Sequence, residues 1–406
     1  MKVLLFTPIS LRIAAGGEQD FFELASILND QGHEVTIVDL NTPGRGELRL
    51  SELDVRSRIA NSTWITLPPL WASDRFTPLL GFRALSVLRH QVRDAQLVIF
   101  NQYYGTDLLL AAIAKLNGKV VICSQANPLR RERSSSILEA AQGLYFRLLW
   151  PVVARRFDSI RTWNRDDTNF LRSLGGRASV IHPTIRSDWK KMDGSPQSRQ
   201  EVGEQPHGAP EFKILTVGRM TLQKGIDTLA EIIETLSEPR SQGRIRMTFV
   251  LAGVRDLPPI LESVKARHPS SVTSAGVLGG QDLLNRIREA DVLLLPSRHE
   301  TFGIVALEAL SQGLPVVASN ISGLRDALDG SPAGFLVPVG SAVQFCTVLS
   351  ELAEMSSRDP VGWSQLRAEA QSAALERYGR EAYRRAWEKL IQTATTGSRD
   401  PPASAS

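Results

Sequence analysis

Apolar positions along this chain follow two alternating patterns. Short continuous runs such as "KVLLFTPI", "EVTIVDL", "AQLVIFNQ" and "KVVICSQ" read as strands buried on both faces. Between them lie stretches of helical period. "EQDFFELASILNDQG" sets Phe21, Leu24, Ala25 and Leu28 on one stripe, and Gly32 stops it; "TDLLLAAIAKLNG" is a second helix. From residue 187 to 211 the texture turns polar and rich in Gly, Pro and Ser, with no apolar period, as in a linker. The alternation then restarts: strand "FKILTVG", helix "IDTLAEIIETL", strand "RMTFVLAG", helix "LLNRIREA", strand "DVLLLPS", a helix around Glu308, strand "LPVVAS" and a hairpin at "GFLVPVG".

Strands alternating with helices predict parallel, doubly wound sheets. The expected architecture is α/β: two Rossmann-like domains facing a cleft, over residues 1–186 and 212–373, joined by the linker 187–211. A last helix carries Tyr383 and Trp387 on one packing face, and the tail 396–406 has no core-forming pattern and is expected to be mobile. In open parallel sheets ligands bind beyond the carboxyl ends of the strands, so the loops there hold the candidate chemistry.

Composition narrows the classes. The formal charge of +4 on 406 residues does not call for a nucleic-acid partner. The two cysteines, Cys123 and Cys346, are far apart and read as buried thiols of a reducing compartment; the six histidines form no HxxxH pair, and no metal site is expected. No run approaches the length of a membrane span and Arg12 interrupts the N-terminal apolar run, so the chain reads as cytoplasmic.

Each domain opens with strand, glycine-containing loop and helix. In the first, "AAGGEQD" places Gly16 and Gly17 just before the helix, where paired glycines let a ligand approach backbone N–H groups, although any tight strand-to-helix turn also suits glycine. The loop lacks GxGxxG, which disfavours NAD. In the second, "VGRMTLQKGIDTL" sets Gly218, Arg219 and Lys224 between a buried strand and a helix N-terminus, a receptor suited to a diphosphate; two solvated surface cations are the plainer reading. There is no Walker A sequence.

A third loop, "RHET" in "PSRHETFGIVALEALSQGLPVVAS", holds Glu300, and the helix after it holds Glu308. Phe302, Val305, Ala306 and Ala309 form its apolar stripe. Side chains on a helix tilt toward its N-terminus, so Glu308 leans back toward the Glu300 loop. A phosphate at the free N–H groups near Gly303 could offer sugar hydroxyls to both carboxylates; a solvated helix face at Glu308, or an ion pair with Arg298, is the structural alternative.

Together, "GG" before the first helix, "VGRMTLQKG" and the E-x7-E segment resemble the retaining family 4 glycosyltransferases of GT-B fold, over nearly the whole chain. The resemblance implies a nucleotide-sugar donor in the second domain. Arg219 and Lys224 would hold the diphosphate with Gly218, aided by the segment Phe302, Gly303, Ile304, Val305; Glu300 would hold the transferred sugar, Glu308 the ribose, and Gly16 and Gly17 would approach from the facing domain. It implies catalysis by Arg219, Lys224 and Glu300 without a metal or other cofactor, and a last helix, about 374–395, crossing back to the first domain.

The sequence departs from the family pattern at two places: Ser124, Gln125 and Asn127 stand where many members carry a histidine, and Gln19 where a glutamate is frequent. The acceptor, an unknown hydroxyl compound, is assigned to the first domain, with Gln125, Asn127 and Arg130 as candidates. A basic bias in "PLRRERS" and "FRLLWPVVARRF" would suit an anionic or lipid-linked acceptor and a peripheral membrane contact, against an ordinary core helix at Phe146, Leu149, Val152 and Val153. Other readings of the same layout are a sugar phosphorylase, a nucleotide-sugar epimerase, or a non-catalytic sugar-nucleotide-binding protein.

Overall fold

The computed structural model describes residues 1–13, 16–42, 50–70, 80–101, 105–125, 153–186, 189, 210–238 and 245–397. The chain divides into two compact units, Met1–Thr184 with Arg380–Ser406, and Ile185–Gly379. Most of the expected linker, the tail from residue 398, and the basic segment 126–152 lie outside the described residues.

The first unit is built on seven strands: β1 (Lys2–Thr7), β2 (Glu34–Leu40), β3 (Thr63–Leu67), β4 (Leu97–Asn101), β5 (Val120–Gln125), β6 (Ser159–Thr162) and β7 (Ala178–Val180). They pair in parallel in the order β3-β2-β1-β4-β5-β6-β7. Helices α1 (Gly16–Asp30), α2 (Glu52–Arg58), α3 (Phe82–Asp94), α4 (Gly105–Leu116) and α5 (Arg165–Ser173) follow the strands. Alternate residues of a strand face opposite sides of the sheet. Leu4, Phe6, Val98 and Phe100 therefore pack with Leu88, Val92 and Leu110 of α3 and α4. Val3, Leu5, Leu97 and Ile99 pack instead with Phe21, Leu24 and Leu28 of α1 and with Tyr383 and Trp387 of the C-terminal helix, Arg380–Thr396.

Strand β6, "SIRT", carries a charge that hides it from a hydropathy reading. Arg161 is fully buried and bonds Asp20 on α1 through both guanidinium nitrogens. Its Nε donates to the Ile181 carbonyl at 2.9 Å, and its guanidinium lies over the rings of Trp163, Tyr383 and Trp387. The Tyr383 hydroxyl donates to Asp20 Oδ1 at 3.0 Å. One satisfied cation thus ties α1, β6 and the C-terminal helix together.

The second unit repeats the plan with β8 (Glu211–Val217), α6 (Ile226–Ser237), β9 (Arg246–Ala252), α7 (Pro259–Arg267), β10 (Val272–Gly276), α8 (Gly280–Glu289), β11 (Val292–Leu295), α9 (Ile304–Ser311), β12 (Val316–Ser319), α10 (Ser322–Leu328), β13 (Gly334–Val337), α11 (Ala342–Arg358) and α12 (Pro360–Tyr378). Its sheet runs β10-β9-β8-β11-β12-β13, again parallel.

Two expectations need correction here. "GFLVPVG" is not a hairpin: Gly334–Val337 is an edge strand parallel to β12, reached through α10, and the chain after Pro338 runs on into α11. Nor is 374–395 one helix. Gly379 interrupts it in extended conformation, its N–H on the Leu375 carbonyl, and a Cβ there would stand 2.2 Å from that oxygen. Residues before the break belong to α12 in the second unit, and those after it pack in the first.

Candidate functional site

In the second sheet the strand order reverses between β8 and β11, whose crossovers run opposite ways. The carboxyl ends of such a pair flank a crevice, the common ligand position in doubly wound sheets. The loops holding Arg219, Lys224 and Glu300 leave from these two strand ends.

Backbone contacts bring the loops together. After β8 the chain passes Gly218 and Arg219 into a 3-10 turn, Leu222–Lys224, that ends on left-handed Gly225 (φ 70). A Cβ on Gly225 would lie 2.0 Å from the Pro296 carbonyl oxygen, so only glycine lets the β8 loop seat on the end of β11. The Arg298 and His299 N–H groups both donate to the Gln223 carbonyl, at 2.9 and 3.3 Å. From the other side, α10 presents Gly323, where a Cβ would come within 2.5 Å of the Thr301 carbonyl.

Side chains complete the junction. Lys224 Nζ forms an ion pair with Glu300 Oε1, which also accepts from Ser297 Oγ at 3.2 Å. The lysine side chain is 23% and the glutamate 12% exposed, so the pair is shielded yet reachable. Arg219 is exposed and has no hydrogen-bond or ion-pair partner among the described residues. Arg298 does not pair with either glutamate; it bonds Asp227 in the first turn of α6. Partial burial pushes the Asp227 carboxyl up, but the Arg298 guanidinium and the Thr228 amide outweigh it and hold the group below its usual range.

Helix α9 begins at left-handed Gly303 (φ 86) with no side-chain cap, leaving the first-turn N–H groups of Ile304 and Val305 to an external acceptor. The expected stripe is too narrow. From Ala306 to Ser311 every residue is buried, because α10 and α12 cover α9, whereas Ile304 and Val305 stay half-exposed at its mouth. Glu308 is 7% exposed and therefore not a solvated face. The Phe302 ring is turned into the core against Tyr378, centroids 5.9 Å apart, so only its backbone is available to a ligand.

In the first unit Gly16 opens α1 and Gly17 is half-buried. Gln19 does not stand ready for a ligand: its amide bonds Glu23 at 3.3 Å and its oxygen accepts from Arg58 at 2.6 Å. Gln125 is buried at the end of β5, while Asn127 and Arg130 lie outside the described residues. The sequence reading missed Gln223, Gly225, Asp227, Ser297 and Gly323. Gly225 and Gly323 carried a signal, a glycine just before or within the first turn of a helix.

The fold is similar to that of several solved structures. HepE of Anabaena, in complex with UDP and glucose, superposes with a TM-score of 0.69 at 16% identity, covering 96% of this chain and 99% of that one. Sucrose-phosphate synthase of Thermosynechococcus elongatus gives 0.68 at 17% identity, covering 98% and 100%. The two-sheet architecture is that of the GT-B glycosyltransferases.

Residues 211–355 match the family model "Glycosyl transferases group 1", which makes the second unit's sheet, with the Lys224–Glu300 junction, a domain of that family. A D-inositol 3-phosphate glycosyltransferase of Arthrobacter sp. is 30% identical over 236 residues, 57% of this chain and 53% of that protein. An uncharacterized glycosyltransferase of Methanocaldococcus jannaschii is 36% identical over 143 residues, 34% of each. These matches span a third to about half of those relatives' length.

Proposed function

We propose that the protein is a retaining glycosyltransferase that moves a sugar from a nucleotide-sugar donor to a hydroxyl acceptor. The observation that carries the reading is the Lys224–Glu300 pair at the β8/β11 crevice, beside unpaired Arg219 and uncapped α9. A donor diphosphate would draw Lys224 away from Glu300, adding Arg219 and the Ile304 and Val305 amides as further donors. Glu300, freed of its lysine, would accept hydrogen bonds from hydroxyls of the transferred sugar. Glu308 is assigned to the ribose. Solved neighbours of this fold hold UDP and UDP-glucose, which supports a nucleotide-sugar donor.

In the reaction the bond from the anomeric carbon to the diphosphate oxygen breaks and its electron pair stays on the diphosphate. The acceptor oxygen bonds that carbon from the same face, and its proton passes to a diphosphate oxygen, so no protein nucleophile is needed. Arg219, Lys224 and the helix amides stabilise the charge that grows on the leaving group, the task a divalent metal performs elsewhere. Gln125, with Asn127 and Arg130, is assigned to the acceptor.

The test is release of free nucleoside diphosphate from a panel of nucleotide sugars, with and without acceptor extracts. Acceptor-dependent release that withstands a chelator supports the proposal. A requirement for inorganic phosphate identifies a phosphorylase, interconversion of the sugar with the nucleotide still attached an epimerase, and tight binding without turnover a non-catalytic module.

A further inference from the structure

Helix α3 has an outer face that neither the core nor the proposed transfer chemistry uses. Its buried side is Ala84, Leu88 and Val92. On the opposite side Phe82, Ser86, Arg89 and Arg93 succeed one another at helical spacing, flanked by Arg83, Val87 and His90, and all seven are exposed. Phe82, at the first position of the helix, is 94% exposed. The side chains of Arg83, Arg89 and Arg93 make no hydrogen bond or ion pair among the described residues. The helix has one acid, Asp94, and Lys2 holds it at 3.0 Å.

We infer that this face docks the first unit onto an anionic lipid surface. Three unpaired arginines on one side of a helix about 20 Å long lie within a Debye length or two of one another, so they present one positive field to a charged plane. A solvated phenylalanine at the end of that row would be costly without an apolar medium to enter, and an aromatic ring beside arginines is the composition of an interfacial anchor. A protein partner would require a wider apolar centre than Phe82 and Val87 supply. The described helices include none long and apolar enough to cross a membrane, so any association through α3 is peripheral.

The experiment is co-sedimentation of the full chain with phosphatidylcholine vesicles, with and without phosphatidylglycerol, across a salt series. The expected result is binding to the anionic vesicles at low salt, loss of binding as salt rises, and little binding to phosphatidylcholine alone. Each arginine near a charged surface contributes about fivefold to the partition, so R83E/R89E/R93E should lose on the order of 100-fold or more. Phe82→Ser should weaken binding about tenfold without changing its salt dependence.

These side chains are exposed, so folding should survive, as an unchanged melting curve would show. The variants also lie outside Arg219, Lys224 and Glu300, so activity on a soluble acceptor should persist and a failed docking test leaves the transfer reading untouched. Absence of binding to anionic vesicles, or equal binding by the triple variant, overturns the inference. So does lipid-free self-association that Phe82→Ser abolishes without vesicle binding by the parent, which would assign the face to a second copy of the chain.

Discussion

Removing the amino group of Lys224 separates a catalytic role from a structural one. A leaving diphosphate oxygen about 4 Å from Nζ interacts with it by about 4 kcal/mol at an effective dielectric constant of 20. That is about a thousandfold in rate, at the upper end of what losing one preorganised donor costs, roughly 10²–10³. Among the described residues the Lys224 side chain pairs only with Glu300, across a partly exposed junction. Pairs of that kind contribute about 1 kcal/mol or less. Lys224→Ala should therefore lower turnover by two to three orders of magnitude while shifting the denaturation midpoint slightly.

Pairing that variant with Glu300→Gln sharpens the argument. If Lys224 and Glu300 serve only each other, the double variant should recover stability and show no additional kinetic loss. If each holds a different part of a donor, the double variant should turn over more slowly than either single one. Steady-state release of nucleoside diphosphate gives the rate, and urea titration followed by circular dichroism gives the stability. A folded Lys224→Ala protein within tenfold of the parent kcat/KM would refute the assignment.

The remaining expectations concern the frame around the site. Gly225→Ala combines a left-handed backbone with a Cβ 2.0 Å from a carbonyl oxygen and should cost about 3 kcal/mol or more in urea titration, whereas Gly218→Ala, whose Cβ would meet Lys224 Cε at 3.7 Å and Cδ at 3.9 Å, should cost about 1–2 kcal/mol. Asp227 is held below its ordinary pKa, so its stabilising contribution is complete above the unfolded carboxylate value of about 3.9 and fades as pH falls through the folded one; Asp227→Asn should flatten that acid limb in melting curves. Arg161→Met strands a buried Asp20 and should cost about 3–5 kcal/mol, much of it recovered by adding Asp20→Leu. Cys346, whose thiol burial pushes up to about 11, should resist alkylation until the second unit unfolds.

How far the sequence disclosed all this depends on whether the physics was local. Strands such as β1, β4 and β11 are continuous apolar runs because both sheet faces are covered, and they were readable for that reason. β6 was not: besides neighbouring Trp163, its Arg161 is buried by Asp20, Tyr383 and Trp387, which are distant in sequence, and no window around "SIRT" contains those three. β13 was misassigned because parallel and antiparallel edge strands share one composition, and only the intervening α10 decides between them. The same division runs through the candidate site. Arg219, Lys224 and Glu300 were legible because charges stranded at the carboxyl ends of buried strands violate the local pattern. That Lys224 meets Glu300 while Arg298 turns to Asp227 follows from Gly225 seating on Pro296, a contact between segments some seventy residues apart. A single added methyl group at Gly225 would part the loops, and the distance between the two charges would change before either charged residue had been altered.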